Sequence, residues 1–386
     1  MSLELPGAWP PGFAGRDRDR DALLVLAHLP AMTPRELHAL GARVRTGAAC
    51  LDAVRAGVAA TANDRELAAA VDPQRVREDL DRCGARPVFP GEEEYPPQLL
   101  GLPDPPAWLF VRGRSTAAWP AAVAIVGARD GSAYGREVAG AIGSGAATAG
   151  VVVVSGAARG IDAAAHHGAL RAGGATAAVL GSGIDVPYPR GNRSLLERIA
   201  ATGWVFSEYP PGVPAAPRRF PARNRIVAGL SEGVVVVEGG PDSGALITAN
   251  FAVDMNRVVM GVPGPVTSPL SEAPHSLIRD GAALVRGPED VLGEIGEDAR
   301  MPGREADELS THELRVLRGL AGTAATLDAL SAASGLPPGQ ALVTLTSLEL
   351  RGLVRSVGGR YERRIMPNGE DSGYPGRSNQ ANPLAP

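Results

Sequence analysis

The sequence predicts an α/β protein whose central domain is a mostly parallel sheet. Four short apolar runs, at 123–126, 151–154, 178–180 and 234–237, are each followed directly by a glycine-rich turn. Continuous apolar runs of this kind predict strands that are buried on both faces, as in a parallel sheet covered by helices. Because the carboxyl ends of parallel strands meet at one edge of a sheet, we expect the four turns to line a single crevice.

The composition limits the chemistry of this crevice. The 386 residues contain no lysine, so all 38 positive charges are arginines, which excludes a P-loop lysine and Schiff-base catalysis. The formal net charge of -4 gives no overall nucleic-acid signature, so such a function must depend on a local basic patch. Cys50 and Cys83 have no metal-ligand spacing, and we expect neither a metal nor a cofactor.

Segments of distinct composition flank the sheet domain. Residues 1–17 are predicted to be a flexible arm, 18–85 a helical module from their helical apolar spacing, and 86–117 a proline-rich extended connector. The turn at 29–34 faintly resembles a helix-hairpin-helix (or SAM-like) turn. Ala31 and Met32 stand where that turn uses glycine, so a helix-packing module is favoured over a phosphate-binding hairpin.

The sheet domain is predicted over 118–295 and is followed by an acidic linker at 296–308. The pattern of three helices and a strand pair predicts a winged-helix domain over 309–364, and 365–386 is predicted to be a disordered tail. The third of these helices, 338–350, carries no basic residue and one acid, Glu349. We therefore expect the winged helix to contact protein or to be auxiliary, with a DNA-reading role in doubt.

No apolar run approaches the length of a membrane-spanning helix, and residues 1–20 lack the apolar core of a secretory signal. We expect a cytoplasmic protein without a membrane anchor. The first turn, Gly127 to Gly135, also lacks the G-x-G-x-x-G pattern of dinucleotide-binding folds, which argues against NAD or FAD.

Two carboxylates near the turns have alternative interpretations. Asp162 and His166 lie one helical turn apart and could form an acid–base or metal pair, although an aspartate there more often caps the helix. Glu238 ends a predicted strand and could be catalytic, although turn stabilisation is favoured. We expect no catalytic residue.

The positive charges near the turns suit a polyanion. Arg129 and Arg159 lie within two of the glycine-rich turns, and the segment 217–225 holds four arginines around Phe220 without an acid. Arginine binds phosphate oxygens bidentately and stacks on bases. Tyr188, Tyr209 and Phe220 are candidate stacking surfaces for unpaired bases, although each could equally be part of the core.

From about residue 95 to 290, an ordered series of motifs closely resembles the DNA-processing protein A (DprA/Smf) family. The series includes Tyr95-Pro-Pro, Gly127-Ala-Arg129, Ser155-Gly156, Gly181-Ser-Gly183, Tyr188-Pro-Arg-Gly-Asn192, Phe220-Pro-Ala-Arg-Asn-Arg225 and Ser243-Gly244. The resemblance implies an extended Rossmann-like, mostly parallel sheet domain. It also implies a homodimer that binds single-stranded DNA and loads the RecA recombinase onto it, as in natural transformation.

The resemblance also implies the residues of the DNA-binding site. Arg129, Arg190, Arg223 and Arg225 would hold phosphates. The rest of the implied site comprises Gly127, Ser155, Gly156, Arg159, Gly181, Gly183, Phe220 and Asn224.

Two other functions are compatible with part of the pattern. A LOG-like nucleotide phosphoribohydrolase has a related fold, but Leu246 stands where its catalytic glutamate would be. A pure protein-interaction scaffold would leave the glycine-rich crevice unexplained. We therefore favour a protein that binds single-stranded DNA without covalent chemistry.

Overall fold

The computed structural model describes residues 9–115, 118–296, 310–320, 324–350 and 353–363. The chain divides into two compact units, Met1–Gly303 and Arg304–Pro386, and the division falls within the predicted linker 296–308. Residues 1–8 of the predicted arm, most of that linker and the predicted tail 365–386 lie outside the described residues. The domain boundaries given above remain predictions.

The first unit begins with a helical module in which side chains cap four of the five helices. Each cap accepts a hydrogen bond from a backbone N–H in the first turn of its helix, and this N–H has no acceptor within the helix. The capping residues are Thr33, Thr46, Thr61 and Asp72. The helices are α1 Asp17–Leu26, α2 Pro34–Val44, α3 Gly47–Arg55, α4 Ala62–Ala70 and α5 Pro73–Arg82.

The prediction of a flexible arm over 1–17 is corrected for the residues that the structure describes. Trp9 and Phe13 are buried, and their rings stack with centroids 4.3 Å apart. The Trp9 indole N–H also donates to the Pro106 carbonyl at 3.2 Å. Two aromatic side chains contribute enough apolar surface to hold the segment against the module, which a count of prolines and charges does not indicate.

A nine-stranded sheet forms the centre of the first unit, with the order β1-β2-β6-β5-β4-β3-β7-β8-β9. β1 pairs with β2 and β2 with β6 in antiparallel fashion, whereas all pairs from β6 through to β9 are parallel. The mostly parallel sheet confirms the predicted fold class. The strands are β1 Ala85–Val88, β2 Leu109–Gly113, β3 Ala122–Val126, β4 Val152–Ser155, β5 Thr176–Leu180, β6 Trp204–Ser207, β7 Gly233–Val236, β8 Val258–Gly261 and β9 Ala283–Leu284.

Alternate residues of the central strands enter two different hydrophobic cores. On β5, Ala178 and Leu180 belong to a core shared with the helical module, whereas Ala177 and Val179 belong to the core on the other face. This is the burial on both faces that the apolar runs predict. The helices of this part are α6 Ala133–Thr148, α7 Ile161–Arg171, α8 Arg193–Thr202, α9 Arg219–Gly229, α10 Gly244–Asp254, α11 Glu272–Arg279 and α12 Pro288–Glu294.

Helices α6 and α7 pack with their backbones almost in contact. A Cβ atom on Gly168 would overlap the carbonyl oxygen of Gly140, and one on Gly143 would overlap the carbonyl oxygen of Ala165. Glycine is therefore required at this seam for reasons of space.

The second unit has the helix and strand order of a winged helix. Its own hydrophobic core is centred on Leu317, Leu330, Leu345 and Leu348. An isolated antiparallel β-bridge joins Ala325 to Tyr361 on the second strand. Its elements are α13 Thr311–Gly319, α14 Leu327–Ser334, α15 Pro338–Leu350 and the antiparallel strands β10 Val354–Val357 and β11 Arg360–Arg363. Across the described parts of both units, no helix has the length and apolar character needed to cross a bilayer.

Candidate nucleic-acid interface

A pocket of about 600 Å³ opens at the carboxyl ends of β3 and β7. These two strands are neighbours, but the chain adds β4, β5 and β6 on one side of them and β8 and β9 on the other. Such a reversal of strand order separates the following loops and leaves a crevice, where open α/β sheets bind ligands. We call it the arginine pocket. Its lining comes from residues 126–130, the β4–α7 turn, Tyr188, one side of α9, and the first turn of α10.

Backbone hydrogen bonds join the loops that form the pocket. The Ala128 N–H donates to the Glu238 carbonyl at 2.8 Å, and the Ile161 N–H donates to the Ala128 carbonyl at 3.2 Å. Gly160 has φ +75°, and a Cβ atom there would overlap the carbonyl oxygen of Ala128. A glycine is therefore needed for the β4–α7 turn to approach the β3–α6 loop this closely.

The loop after β5 is attached to the same framework. The Asn192 side-chain amide donates to the Ala157 carbonyl at 2.9 Å and to the Ala158 carbonyl at 3.3 Å. The segment that carries Tyr188 and Arg190 is thus held beside the β4–α7 turn.

An aromatic surface covered by a guanidinium group lies within the pocket. The Arg129 guanidinium carbon is 5.2 Å from the centroid of the Phe220 ring, and the Tyr188 ring lies 5.1 Å from Phe220 at an interplanar angle of 33°. Tyr188 is 45% exposed, so a flat ligand can reach it. Gly181 lies behind Phe220, where a Cβ atom would come within 2.9 Å of the ring.

Arg223 supplies a second positive charge and is buried in the pocket wall. Its Nη1 donates to the Val179 carbonyl, and the guanidinium lies against Gly156, where a Cβ atom would overlap it. Its Nε has no hydrogen-bond partner among the described residues. Burial lowers the pKa of Arg223 to about 10, partly offset by Asp162, so the group stays charged at neutral pH.

The remaining charges of the pocket partly offset each other. Asp162 accepts a hydrogen bond from the Ala158 N–H at 3.2 Å, and burial raises the pKa of its carboxyl group. Asp130 pairs with Arg159 at 3.4 Å. The first turn of α10 also faces the pocket, with Ser243 as its cap, and the positive end of a helix dipole favours an anion there.

Arg225 requires a correction. It is 2% exposed and lies outside the pocket lining, with its guanidinium paired to Asp104 at 3.2 Å and to Glu208 at 2.6 Å. These two carboxylates raise the pKa of Arg225 above its ordinary value despite burial. Residues two positions apart on a helix project in nearly opposite directions, so Arg223 and Arg225 cannot both face the pocket. In this conformation Arg225 is not available to phosphate.

The other predicted site residues fall into two groups. The first group lines the pocket and comprises Gly127, Gly156, Arg129, Phe220, Arg223 and Asn224. Outside the lining lie Ser155, Arg159, Gly181, Gly183 and Arg190.

The residues outside the lining are not equivalent. The buried Ser155 hydroxyl donates to the Ile125 carbonyl at 2.6 Å, and the Gly183 N–H donates to the Val213 carbonyl at 2.7 Å, so both belong to the framework. Arg159 and Arg190 are exposed. Their predicted roles, like those of the lining residues, remain predictions.

Several lining residues are not among the predicted site residues, for example Asp130, Ser243, Ile247 and Thr248. Ser243-Gly244 before a helical run was the available signal, because serine is a preferred helix cap and such a helix start binds anions.

The structure supports neither an acid–base pair of Asp162 with His166 nor a catalytic role for Glu238. His166 is buried and its Nδ1 lies 2.7 Å from the Thr176 hydroxyl, which itself donates to the Val153 carbonyl. Both Glu238 carboxylate oxygens are bound by Ser132, one by its N–H at 2.8 Å and one by its hydroxyl at 2.6 Å. The turn-stabilising interpretation of Glu238 is therefore the one observed. The described residues contain no His, Cys, Asp and Glu cluster that could hold a metal.

Two family models match the chain. DNA recombination-mediator protein A matches residues 86–296, and the DprA winged helix domain matches residues 300–360. A relative named DprA from Mycobacterium tuberculosis is 40% identical over 341 residues, which are 82% of this chain and 87% of the relative.

Two solved structures are also similar. DNA processing protein A of Streptococcus pneumoniae superposes with a TM-score of 0.62 at 32% identity, covering 72% of this chain and 98% of that one. The Helicobacter pylori protein, whose structure was described for its single-stranded DNA binding mode, gives a TM-score of 0.50 at 26% identity, covering 55% and 96%.

The matched descriptions name DNA processing and recombination mediation, which agrees with the expectation of a protein that is not an enzyme. The resemblance inferred from the motifs is confirmed: this chain belongs to the DNA recombination-mediator protein A (DprA/Smf) family.

Proposed function

We propose that this protein binds single-stranded DNA in the arginine pocket and transfers the strand to the RecA recombinase, acting as a homodimer. The observation that carries the proposal is the Arg129 guanidinium over Phe220, with Tyr188 beside the same ring. A stacked aromatic surface next to a fixed cation is the chemistry that holds unpaired bases and their phosphates.

The pocket favours a single strand over a duplex. Bases within a duplex are already stacked and paired, so their faces cannot reach Tyr188 and Phe220. An unpaired base presents a free face whatever its identity, and stacking is therefore tolerant of sequence. The single-stranded DNA binding mode described for the Helicobacter pylori relative supports this choice.

The charges of the pocket suit the phosphates of such a strand. Arg129 is exposed, and the buried Arg223 keeps an Nε–H without a partner among the described residues. The first turn of α10, which Ser243 caps, adds the positive end of a helix dipole that favours phosphate oxygens. Arg190 is exposed and extends the positive charge beyond the lining, whereas the exposed Arg159 is paired with Asp130.

Transfer to RecA rests on the resemblance to the family and on the chemistry of the pocket. Arginines and backbone N–H groups hold phosphates without covalent chemistry, and we expect a strand to leave the pocket chemically unchanged. A homodimer would hold one strand in two linked pockets, and the avidity would protect the strand until RecA replaces the protein.

The test is a titration of fluorescent single- and double-stranded oligonucleotides across a range of salt concentrations. Three to five phosphate contacts on a single strand predict a slope of log K against log salt of roughly -2 to -3.5. The purified protein should leave nucleoside monophosphates intact and should accelerate RecA assembly on strands coated with single-strand-binding protein. A slope near zero, a preference for duplex, or nucleotide turnover without an effect on RecA would overturn the proposal.

A further inference from the structure

A second pocket, of about 280 Å³, lies on the other side of the start of α9. Its walls come from the α1–α2 turn of the helical module and from the segments around Trp108 and Tyr209. Both walls belong to the first unit. Nothing in the function proposed above uses this pocket.

The second pocket has a mostly apolar lining and repeats one feature of the arginine pocket. The Arg219 guanidinium carbon lies 4.8 Å from the centroid of the Tyr209 ring, which repeats the pairing of Arg129 with Phe220. Trp108 offers a second, partly exposed aromatic side chain, with its indole N–H donated to the Glu208 carbonyl at 2.8 Å. Two aromatic side chains and an arginine therefore line the second pocket, and the indole N–H of Trp108 already has a hydrogen-bond partner.

The charge of the second pocket is positive. Arg218 and Arg219 both line it, and no carboxylate of the described residues forms an ion pair with Arg218. Glu208 is the single acid of the lining, and its carboxylate is taken by Arg225 at 2.6 Å. An anionic ligand with a flat ring meets no unpaired negative charge here.

The two pockets are continuous along the chain. Pro217 and Phe220 line the arginine pocket, whereas the residues between them, Arg218 and Arg219, line the second pocket. A helix with its side chains is about 10–12 Å wide, and a stacked strand advances about 3.4 Å per nucleotide, so about three or four nucleotides would span the start of α9.

We propose that the second pocket, lined by Trp108, Tyr209, Arg218 and Arg219, holds a further nucleotide of the same single strand that occupies the arginine pocket. This inference rests on the proposed single-stranded DNA binding and extends it. The strand crosses the start of α9 and is bound by one pocket on each side of the helix. The helical module thereby gains a role, because its α1–α2 turn closes the second pocket.

The test compares oligothymidylates of about 4 to 20 nucleotides on the full-length protein. Affinity should rise steeply once the strand is long enough to reach both pockets. Arg218→Glu should remove that rise, with a loss of about tenfold or more for long strands and less than about twofold for the shortest. Arg75→Glu, an exposed arginine on α5 outside both linings, makes the same change in net charge and should preserve the rise.

Tryptophan fluorescence gives a second measurement that does not depend on charge. Trp108 lines the second pocket, whereas the other tryptophans, Trp9, Trp119 and Trp204, are at most 9% exposed and line neither pocket. Long strands should quench the emission, short strands should not, and Trp108→Phe should abolish the quenching.

The outcomes separate this inference from the proposed function. Equal losses for short and long strands in Arg218→Glu, or binding of long strands without quenching, would overturn the second pocket and leave the arginine pocket standing. Saturable quenching by thymidine monophosphate alone would assign the pocket to a free nucleotide and also overturn the inference. Failure of the unaltered protein to bind oligothymidylates of any length would overturn the proposed function itself.

Discussion

The Nη2 atom of Arg225 donates to a carboxylate oxygen of Glu208 across 2.6 Å, and both side chains are at least nine-tenths buried. Asp104, from the proline-rich connector, completes the arrangement at 3.2 Å from the Nε of Arg225. The arginine thus joins α9 to two segments that are distant in sequence. It positions the helix that carries Phe220 and Arg223 into the arginine pocket.

Replacing Arg225 with alanine should therefore destabilise the protein before it affects DNA contacts. Removing one partner leaves the Glu208 carboxylate buried without its counter-ion, which costs about 3–5 kcal/mol. Urea unfolding followed by circular dichroism measures the change. Arg129→Ala, at an exposed position, is the control and should change stability by no more than about 0.5 kcal/mol. Unchanged stability in Arg225→Ala, together with weaker DNA binding, would return Arg225 to the phosphate-binding residues.

Arg129→Ala should weaken single-stranded DNA binding without unfolding the sheet. The loss of one charge-assisted phosphate contact costs about 1.5–3 kcal/mol, or about ten- to a hundredfold in affinity, and the salt slope should become less steep by about 0.7. Fluorescence anisotropy measures both. Arg351→Ala, at a position outside the described residues and outside the predicted site, is the comparison. Equal losses at the two positions would indicate diffuse electrostatics instead of a pocket.

Gly156→Ala should impair binding through Arg223. The added methyl group would occupy the place of the Arg223 guanidinium, which must then leave its position against the turn. We expect an affinity loss close to that of Arg223→Ala, and little further loss when the two changes are combined. Gly240→Ala is the matched control, because a Cβ atom there has no neighbour within 4 Å. Additive losses in the double variant would show that the two residues act separately.

His166 should make stability depend on pH. Burial lowers its pKa from 6.5 to about 3. Between those values the unfolded chain binds a proton that the folded protein does not, so stability is fully present above pH 6.5 and falls as the pH decreases towards 3. One such group contributes a slope of up to about 1.4 kcal/mol per pH unit. The free energy of unfolding, measured with urea between pH 3 and 6.5, should depend less steeply on pH in His166→Asn than in the unaltered protein. Identical slopes in the two proteins would contradict a depressed pKa for His166.

Removal of residues 304–386 should leave single-stranded DNA binding intact. The truncation point follows the division between the two compact units, and the winged helix has a hydrophobic core of its own. The truncated protein should unfold cooperatively and keep its affinity within about twofold. Loss of oligonucleotide binding in a folded truncated protein would mean that the site was assigned to the wrong unit.

The sheet and the location of the pocket could be predicted from the sequence because each depends on a local pattern. The run 234–237 is apolar enough to be a buried strand, and the glycines after it leave few alternatives to a turn. The surroundings of Arg225 depend instead on Asp104 and Glu208, which only the fold brings to it. A segment with four arginines in nine residues reads as one basic patch, whereas the helix turns some of them towards the core.

The N-terminal arm illustrates a second limit. Prolines and charges around Trp9 and Phe13 are typical of an unfolded segment, yet both rings are buried. Two aromatic residues are few enough to be outweighed in a compositional average, although each buries a large apolar side chain. The second pocket could not be predicted either, because its walls come from three segments, within 26–37, 107–108 and 208–222, that are distant in the chain.

The close contact of α6 with α7 has a consequence for anyone who wishes to engineer this protein. Replacing glycine with alanine inside helices is a common way to raise thermal tolerance. At Gly143 and Gly168 the same exchange would wedge the two helices apart. The loops before both helices contribute to the lining of the arginine pocket, so displacing the helices would move part of that lining. These two glycines set the distance between α6 and α7 although neither lines the pocket. Designs that aim at higher stability should leave them unchanged.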